Sequence, residues 1–560
     1  MEKKEVAMTN QEELQYLLNQ LGDFGKYQIF QHFLHCLIWL VSAVHMMGFV
    51  FVFPAMEHRC YLEGVDGNWS AISEIGNRIP ITEEGKPISC EKFQQLPNES
   101  NVTRSCGEDG FVYNSSYYEA SRVIEWDMVC ENEWMRAMLH SIFIFGSLLG
   151  SFAGGALADK IGRKPVICFS GIVQFFWGIG VVFLDNFYVV AVSMLMYGLF
   201  GSGTANGPAV ALTMEIVGSS KRTLCGTMIS FSFGLGAVLV PIWAYYFSGD
   251  ARILQLIYVS HSLLLFANWW LVDESICWLW SQGKKDEAMV LLGKAAKMNG
   301  VDLSYPEGLR RPSTLSKRRS TLAEVLLKRR NRPDAVSFLD LFRTPEIRKR
   351  LLVSLYLWLA GGMIYYGLSF NSVSLFGNPY LIFILVCVAE FPSHPITIWL
   401  SPRIGYKPMV LVNLLIPSVA SVVLAFLPKN AITTGAAMLA KICSTIVMNV
   451  INAYSSELFP TVLRNTALGI CLVGSRFGAT VIPAINLLSS YAESLPGLVH
   501  GMSGIIGCVL VFLFLPETMN TQIPQTVKDV EEAAAKKKKE KEKEKDGNNY
   551  HNNPAFELCE

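Results

Sequence analysis

Gly155-Ala-Leu-Ala-Asp-Lys-Ile-Gly-Arg-Lys-Pro165 separates two long apolar runs and packs two glycines, one acid and three bases into eleven residues. Small residues let membrane helices approach closely. Bases mark the cytoplasmic side of a membrane turn. Asp159 can accept from backbone N–H groups or from a nearby arginine. A tight basic turn between two apolar segments reads as a membrane hinge, so the chain around it is read as a membrane protein.

Composition agrees. The chain has 560 residues, 51% hydrophobic and 17% charged, too apolar for a soluble protein of this size. Twelve apolar windows of about 20 residues recur, near 28–53, 135–157, 165–184, 188–213, 225–247, 253–272, 349–371, 378–400, 409–427, 432–454, 465–488 and 497–516. The expected fold is all-α, with twelve transmembrane helices. Residues 1–27 are polar and do not read as a cleaved signal peptide. The net charge of zero implies no bulk attraction to nucleic acid.

Residues 54–134 form one large hydrophilic loop. It holds Cys60, Cys90, Cys106 and Cys130, together with all four N-x-S/T sequons of the chain, at Asn68, Asn98, Asn101 and Asn114. Four sequons beside four cysteines indicate an extracellular, oxidised, glycosylated loop. Four cysteines allow three pairings, and the sequence does not choose among them. Lys160, Arg163 and Lys164, Lys221 and Arg222, Arg403 and Lys407, and Arg464 all fall in turns on the opposite side. Residues 281–350, in the long polar segment 273–348, carry seventeen Lys/Arg against eight Asp/Glu. Both termini, 1–27 and 517–560, are therefore expected in the cytoplasm.

The hinge has a fainter copy. Leu157-Ala-Asp-Lys-Ile-Gly-Arg-Lys-Pro165 and Leu400-Ser-Pro-Arg-Ile-Gly-Tyr-Lys-Pro408 match at five of nine positions with an offset of 243. Glu274 and Glu517 share that offset, and Glu215 and Arg222 recur 242 residues on as Glu457 and Arg464. The chain thus reads as two parallel six-span halves, 28–272 and 349–516, joined by a cytoplasmic linker. Such repeats build transporters with a midplane site and rocking, alternating access.

The 155–165 stretch resembles the span 2–3 signature of the major facilitator superfamily. The chain is more closely similar to that superfamily's organic cation/anion/zwitterion (carnitine-type) transporters. This second likeness rests on Glu125-Trp-Asp-Met-Val-Cys130, Tyr365-Tyr-Gly-Leu368, Glu457-Leu-Phe-Pro-Thr461 with Arg464-Asn465, and Asp273-Glu-Ser275 with Trp278-Leu279 and Gly283. It spans residues 20–525. The chain departs from the pattern at Asp273 and Cys277, and at Pro402 and Tyr406 in the second hinge. The resemblance implies a plasma-membrane carrier of small organic ions, and an inner gate formed by Asp159, Arg163, Glu215, Arg222, Glu457 and Arg464. In the gate reading these groups pair across the halves when the inner side shuts. The same charges also serve topology and helix-end compensation.

Charges within spans are costly, roughly 2.5–3.5 kcal/mol each on insertion scales, and so face partners or a wet cavity. Glu390, Lys441 and Arg476 are such charges. Glu390 lies before Phe391-Pro-Ser-His-Pro395, whose prolines should break the helix. It is expected either to touch substrate or to pair internally with Arg476 or Lys441. Trp358, Tyr365 and Tyr366 can offer ring faces to a cation. Trp358 and Tyr365 are seven residues apart and share a helix face. The resemblance implies that these two line the cavity. Asn206 and Asn449 are further polar candidates for the substrate site. Among relatives, carriers of cations tend to have an acid at the place of Arg476, and carriers of anions and carnitine-type zwitterions an arginine. The first expectation is an amine-containing zwitterion or organic cation, with room for a coupling ion, sodium or proton. The alternative is an organic anion exchanger, and a third reading is a non-transporting receptor or scaffold on a transporter fold. No nucleophile elbow, phosphate loop or zinc-ligand spacing supports an enzyme or a cofactor.

Overall fold

The computed structural model describes residues 10–62, 79–80, 89–93, 103–106, 109–303, 340–460, 463–519 and 530–531. Among them twelve helices are long and apolar enough to cross a membrane. These are spans 1 to 6 at Lys26–Val52, Cys130–Ile161, Arg163–Phe183, Phe187–Ile216, Leu224–Tyr246 and Ala251–Leu271. Spans 7 to 12 follow at Pro345–Phe370, Pro379–Ile404, Tyr406–Leu424, Ala431–Leu458, Thr466–Ser490 and Leu495–Phe514. Order and number match the sequence expectation. The main shift is in span 2, which continues as helix through Ala156, Leu157, Ala158 and Lys160, all good helix formers. The hinge proper is one residue, Gly162, at φ +105°.

Gly162 also explains why the hinge repeats. The Glu274 carboxylate accepts from the amides of Arg163 (3.0 Å) and Lys164 (3.2 Å), at the start of span 3. In the second half Gly405 sits at φ +91°. There Glu517 accepts from the amides of Tyr406 (3.3 Å) and Lys407 (3.0 Å). A helix N-terminus offers free N–H groups and a positive dipole end, so a carboxylate docks there readily. A Cβ on Gly162 would lie 2.3 Å from a Glu274 oxygen. Glycine is therefore needed for conformation and for space.

Spans 1–6 pack on one another, as do spans 7–12. The bundles meet where span 2 crosses span 11 and span 5 crosses span 8. The face carrying strands His58–Cys60 and Phe111–Tyr113 is the loop face, and the face carrying Gly162 and Gly405 the hinge face. On the loop face, Phe51 packs on Tyr380 and Phe383 across the halves. His140 lies between Phe49 and Phe370, with centroids at 4.1 and 4.5 Å. The Tyr380 hydroxyl donates to the Tyr117 carbonyl. On the hinge face no hydrogen bond, ion pair or ring contact between described residues joins the halves. Below the loop face, at mid-depth, Phe231 of the first half meets Phe391 and His394 of the second.

Strand His58–Cys60 pairs with Phe111–Tyr113, and Glu91–Phe93 with Thr103–Ser105, all antiparallel. Of the three pairings the sequence left open, the structure has Cys60–Cys106 and Cys90–Cys130. The second ties the loop to the head of span 2. Asn114 is half-buried, and its amide donates to Glu57 at 2.8 Å. Asn68, Asn98 and Asn101 lie outside the described residues. On the hinge face, helix Asn10–Gln20 packs against helices Ile276–Ser281 and Lys285–Asn299 through Leu17, Leu21, Trp278 and Leu292. Asp273 accepts from Tyr27 (3.1 Å) and Gln31 (3.2 Å) and pairs with Lys294 at 2.6 Å. It locks span 1 to the chain leaving span 6.

Candidate substrate site and inner gate

Span 8 is two helices, Pro379–Val388 and Ser393–Ile404, because Pro392 and Pro395 withhold amide donors. Glu390 sits in the break. Lys441, in span 10, is fully buried, and its Nζ lies 2.8 Å from Glu390 Oε1. The same ammonium donates to Ser369 Oγ at 2.6 Å and to the Tyr365 carbonyl at 3.3 Å. It also lies over the Tyr365 ring, 3.3 Å from the centroid. The Tyr365 hydroxyl returns to Glu390 at 3.0 Å. Spans 7, 8 and 10 thereby share one closed polar cluster. Every ammonium donor has a partner, as a charge removed from water requires. Of the two internal pairings open in the sequence, Glu390 makes the one with Lys441.

Arg476 is left without a carboxylate. It is half-buried in span 11, and its Nη1 approaches Met46 Sδ of span 1 at 3.6 Å. No ion pair between described residues includes it. It is a fixed cation at mid-depth, on the seam between the halves.

The other candidates divide. Tyr366 packs edge-on against Tyr365 and stacks on Phe370, so it belongs to the ring layer of the loop-face closure. Asn449 donates to His394 Nδ1 at 3.2 Å. His394 lies one turn after Glu390, and its ring meets Phe231 of the first half. Trp358 departs from expectation. It is 2% exposed, bonds to Ser455 at 3.0 Å, and packs with Leu357, Val447 and Ile451 inside the second bundle. It shares a face with Tyr365 but lies about 10 Å further along the axis, at a depth where that face meets span 10. Asn206 likewise faces the interior of the first bundle, donating to Ser42 at 2.9 Å.

At the hinge face Arg163 pairs with Asp159 at 3.2 Å and with Glu215 at 3.1 Å. Glu215 also accepts from the Ser275 hydroxyl, and the Trp278 indole donates to the Asp159 carbonyl. Burial, reinforced by Glu215, pushes the neighbouring Cys277 thiol up to about 11. Asp159, Arg163 and Glu215 belong to the first half, and Ser275, Cys277 and Trp278 to the start of the linker. No pairing across the halves, of the kind the gate reading describes, is formed between the described residues. Arg222 is exposed, and Arg464 holds Nε and Nη2 buried without partners. No ion pair between described residues includes Arg222, Glu457 or Arg464. The sequence reading did not name Ser369, and it quoted His394 and Ser275 only within motifs. Ser369 lies four residues after Tyr365, so helical spacing from a named candidate was its only signal.

The chain is similar to known proteins along most of its length. A sequence profile described as "Sugar (and other) transporter" matches residues 97–528. The organic cation transporter protein of Drosophila melanogaster is 30% identical over 93% of this chain and 95% of its own length. Organic cation/carnitine transporter 2 of Rattus norvegicus is 29% identical over 90% and 92%. The xylose transporter of E. coli, in a partially occluded inward-open conformation, superposes with a TM-score of 0.58 at 13% identity. That match covers 88% of this chain and all of the other, and it shows the fold.

Proposed function

Because the chain belongs to the sugar (and other) transporter family, on the organic cation/anion/zwitterion branch of the major facilitator superfamily, we propose that it carries a small carboxylate-bearing organic ion, first of all an amine-containing zwitterion, across the plasma membrane. Alternating access between the halves at 28–272 and 349–516 moves the substrate. The glycosylated loop lies outside, and both termini lie in the cytoplasm. The observation that carries the reading is Arg476, which has no ion-pair partner among the described residues, while Glu390 and Lys441 neutralise each other. Together the three charges leave the centre one positive unit in excess, which attracts a carboxylate. A substrate ammonium then has Glu390 and the Tyr365 ring within one cluster, where it can take over the place of Lys441. A bare organic cation fits this excess poorly.

The second reading, an organic anion exchanger, is favoured by the same Lys441, which already holds Glu390 and leaves it little call for an amine. Uptake by cells expressing the chain, from a panel of labelled zwitterions, cations and carboxylates, tests both. Arg476→Ala should lower carboxylate uptake about 10- to 100-fold, the worth of a charge-assisted hydrogen bond. Unchanged carboxylate uptake at equal surface expression would remove Arg476 from the site. Uptake of anions but no zwitterion would select the second reading.

A further inference from the structure

The two bridges on the loop face differ in access. Cys60 and Cys106 are both 0% exposed, so a thiol in solution does not reach their sulfurs. Cys90 and Cys130 are half-buried, and Cys130 holds its backbone at φ +52°. Left-handed backbone at a residue other than glycine is costly and clusters at working sites. Thiol exchange needs access to a sulfur, so Cys90–Cys130 is the labile bridge of the two.

An imidazole stands beside that bridge. His58 Nε2 lies 3.3 Å from Cys130 Sγ and 3.9 Å from Cys90 Sγ. Its Nδ1 lies 3.0 Å from the Met56 carbonyl. A carbonyl only accepts, so Nδ1 donates and Nε2 turns its lone pair to the sulfurs. Metal-binding histidines are held in this way. In a tetrahedral zinc site, Zn–N of about 2.0 Å and Zn–S of about 2.3 Å place the nitrogen about 3.6 Å from each sulfur and the sulfurs about 3.8 Å apart. The two observed N···S distances bracket the first of these values. Only the sulfurs need to part, and Cα atoms 5.7 Å apart leave side-chain rotation room to do it. Positions 58, 90 and 130 have no metal-motif spacing. The strand pairs His58–Cys60 with Phe111–Tyr113 and Glu91–Phe93 with Thr103–Ser105 bring them together.

We propose that a low-molecular-weight thiol in solution opens Cys90–Cys130, and that the two freed thiolates and His58 Nε2 then hold a zinc ion. One thiolate of the reductant attacks a sulfur of the bridge, the S–S bond breaks, and the electron pair leaves on the other cysteine. A second reductant thiolate attacks the reductant's sulfur in the mixed disulfide and releases the remaining cysteine. Two electrons thus pass to the protein, and the two outside thiols become a disulfide. Zinc displaces the protons of both cysteines. Two thiolates and an imidazole suit zinc, with the fourth position left to water. Cys130 heads span 2 and His58 opens a strand of the loop sheet. The metal therefore restores by coordination the tie that reduction cuts. Neither step depends on which solute the chain carries.

The test uses purified full-length protein whose accessible free thiols, the half-buried Cys277 among them, are first capped with an alkylating reagent. Reduced glutathione is then added and removed. A second alkylation, mapped by mass spectrometry, should mark Cys90 and Cys130 and spare Cys60 and Cys106. Competition with a chromophoric zinc chelator should find one zinc ion on the reduced chain and none on the oxidised chain. Cobalt(II) in its place should give the visible absorption of a tetrahedral thiolate site. His58→Gln leaves the bridge intact and should weaken zinc binding at least about tenfold, the smallest loss seen when even an outer-shell partner is removed. Reduction should expose the loop to protease, and zinc should restore its resistance. The proposal is overturned if the bridge stays closed in the folded protein, or if Cys60 and Cys106 open with it. Absence of zinc binding after reduction, a cobalt spectrum without tetrahedral bands, or unchanged affinity in His58→Gln overturns it equally.

Discussion

Lys441→Met removes one half of the buried pair at the centre of the second bundle. At 2.8 Å and an effective dielectric of about 20, the Glu390–Lys441 attraction is about 6 kcal/mol. Desolvation of each ion costs several kcal/mol, so the pair is close to neutral as a whole. The single substitution discards the attraction while Glu390 stays buried, with the Tyr365 hydroxyl as its remaining side-chain partner. The expected loss is about 3–5 kcal/mol. Adding Glu390→Gln removes the stranded charge and keeps an acceptor for Tyr365, so the double variant should recover most of that loss. The assay is thermal unfolding of the purified protein, followed by tryptophan fluorescence, with all four members of the cycle compared. The reasoning fails if the double variant is no more stable than Lys441→Met. It also fails if Lys441→Met unfolds with the unmodified protein, since that would mean Glu390 has another route to neutrality.

Three further outcomes follow from the geometry. Arg163→Gln strands the partly buried Glu215 and should cost about 1–3 kcal/mol, with a matching fall in uptake, whereas the exposed Asp159→Asn should cost under about 1 kcal/mol. Full uptake by both at normal surface expression would reject the gate. Cys60→Ser with Cys106→Ser should destabilise the loop face by about 2–5 kcal/mol, read as lost surface expression; unchanged expression would make that bridge dispensable. Burial holds His58, beside the Cys90–Cys130 bridge, below its ordinary value of about 6.5. The unfolded loop then binds the proton more readily than the folded one, so stability is complete above about pH 6.5 and falls as the pH drops below it. Protease resistance of the loop should follow that course in the unmodified protein and flatten in His58→Gln; identical profiles would dismiss His58 as the sensor.

The spans were legible because nothing in hydrocarbon replaces their backbone hydrogen bonds, and long apolar helices announce themselves. The hinge repeat was legible for a stricter reason: the left-handed conformation at Gly162 and Gly405, and the carboxylates of Glu274 and Glu517, tolerate few other residues. The second hinge lacks the acid and arginine of the first yet keeps this amide–carboxylate arrangement. Site residues were harder to place. Span 7 is buried almost all round, so its apolar pattern does not show which partner each buried side chain meets. Trp358 and Tyr365 therefore looked equivalent, although one packs within the bundle and the other joins Glu390. Lys441 and Glu390 were each visible as misplaced charges, but their pairing spans 51 positions of sequence and depends on how spans 8 and 10 cross. Asn206 was picked out by its polarity.

The loop-face closure is made of rings: Phe51, Tyr380, Phe383, His140 and Phe370, with one hydroxyl on a carbonyl. No ion pair between described residues crosses it. Parting these surfaces wets apolar area and so carries a positive heat-capacity change. The balance between closed and open forms should therefore curve with temperature and respond little to ionic strength. Cold would loosen this seal as the hydrophobic term fades, which makes the protein's resting conformation a property of the thermal environment as well as of its cargo.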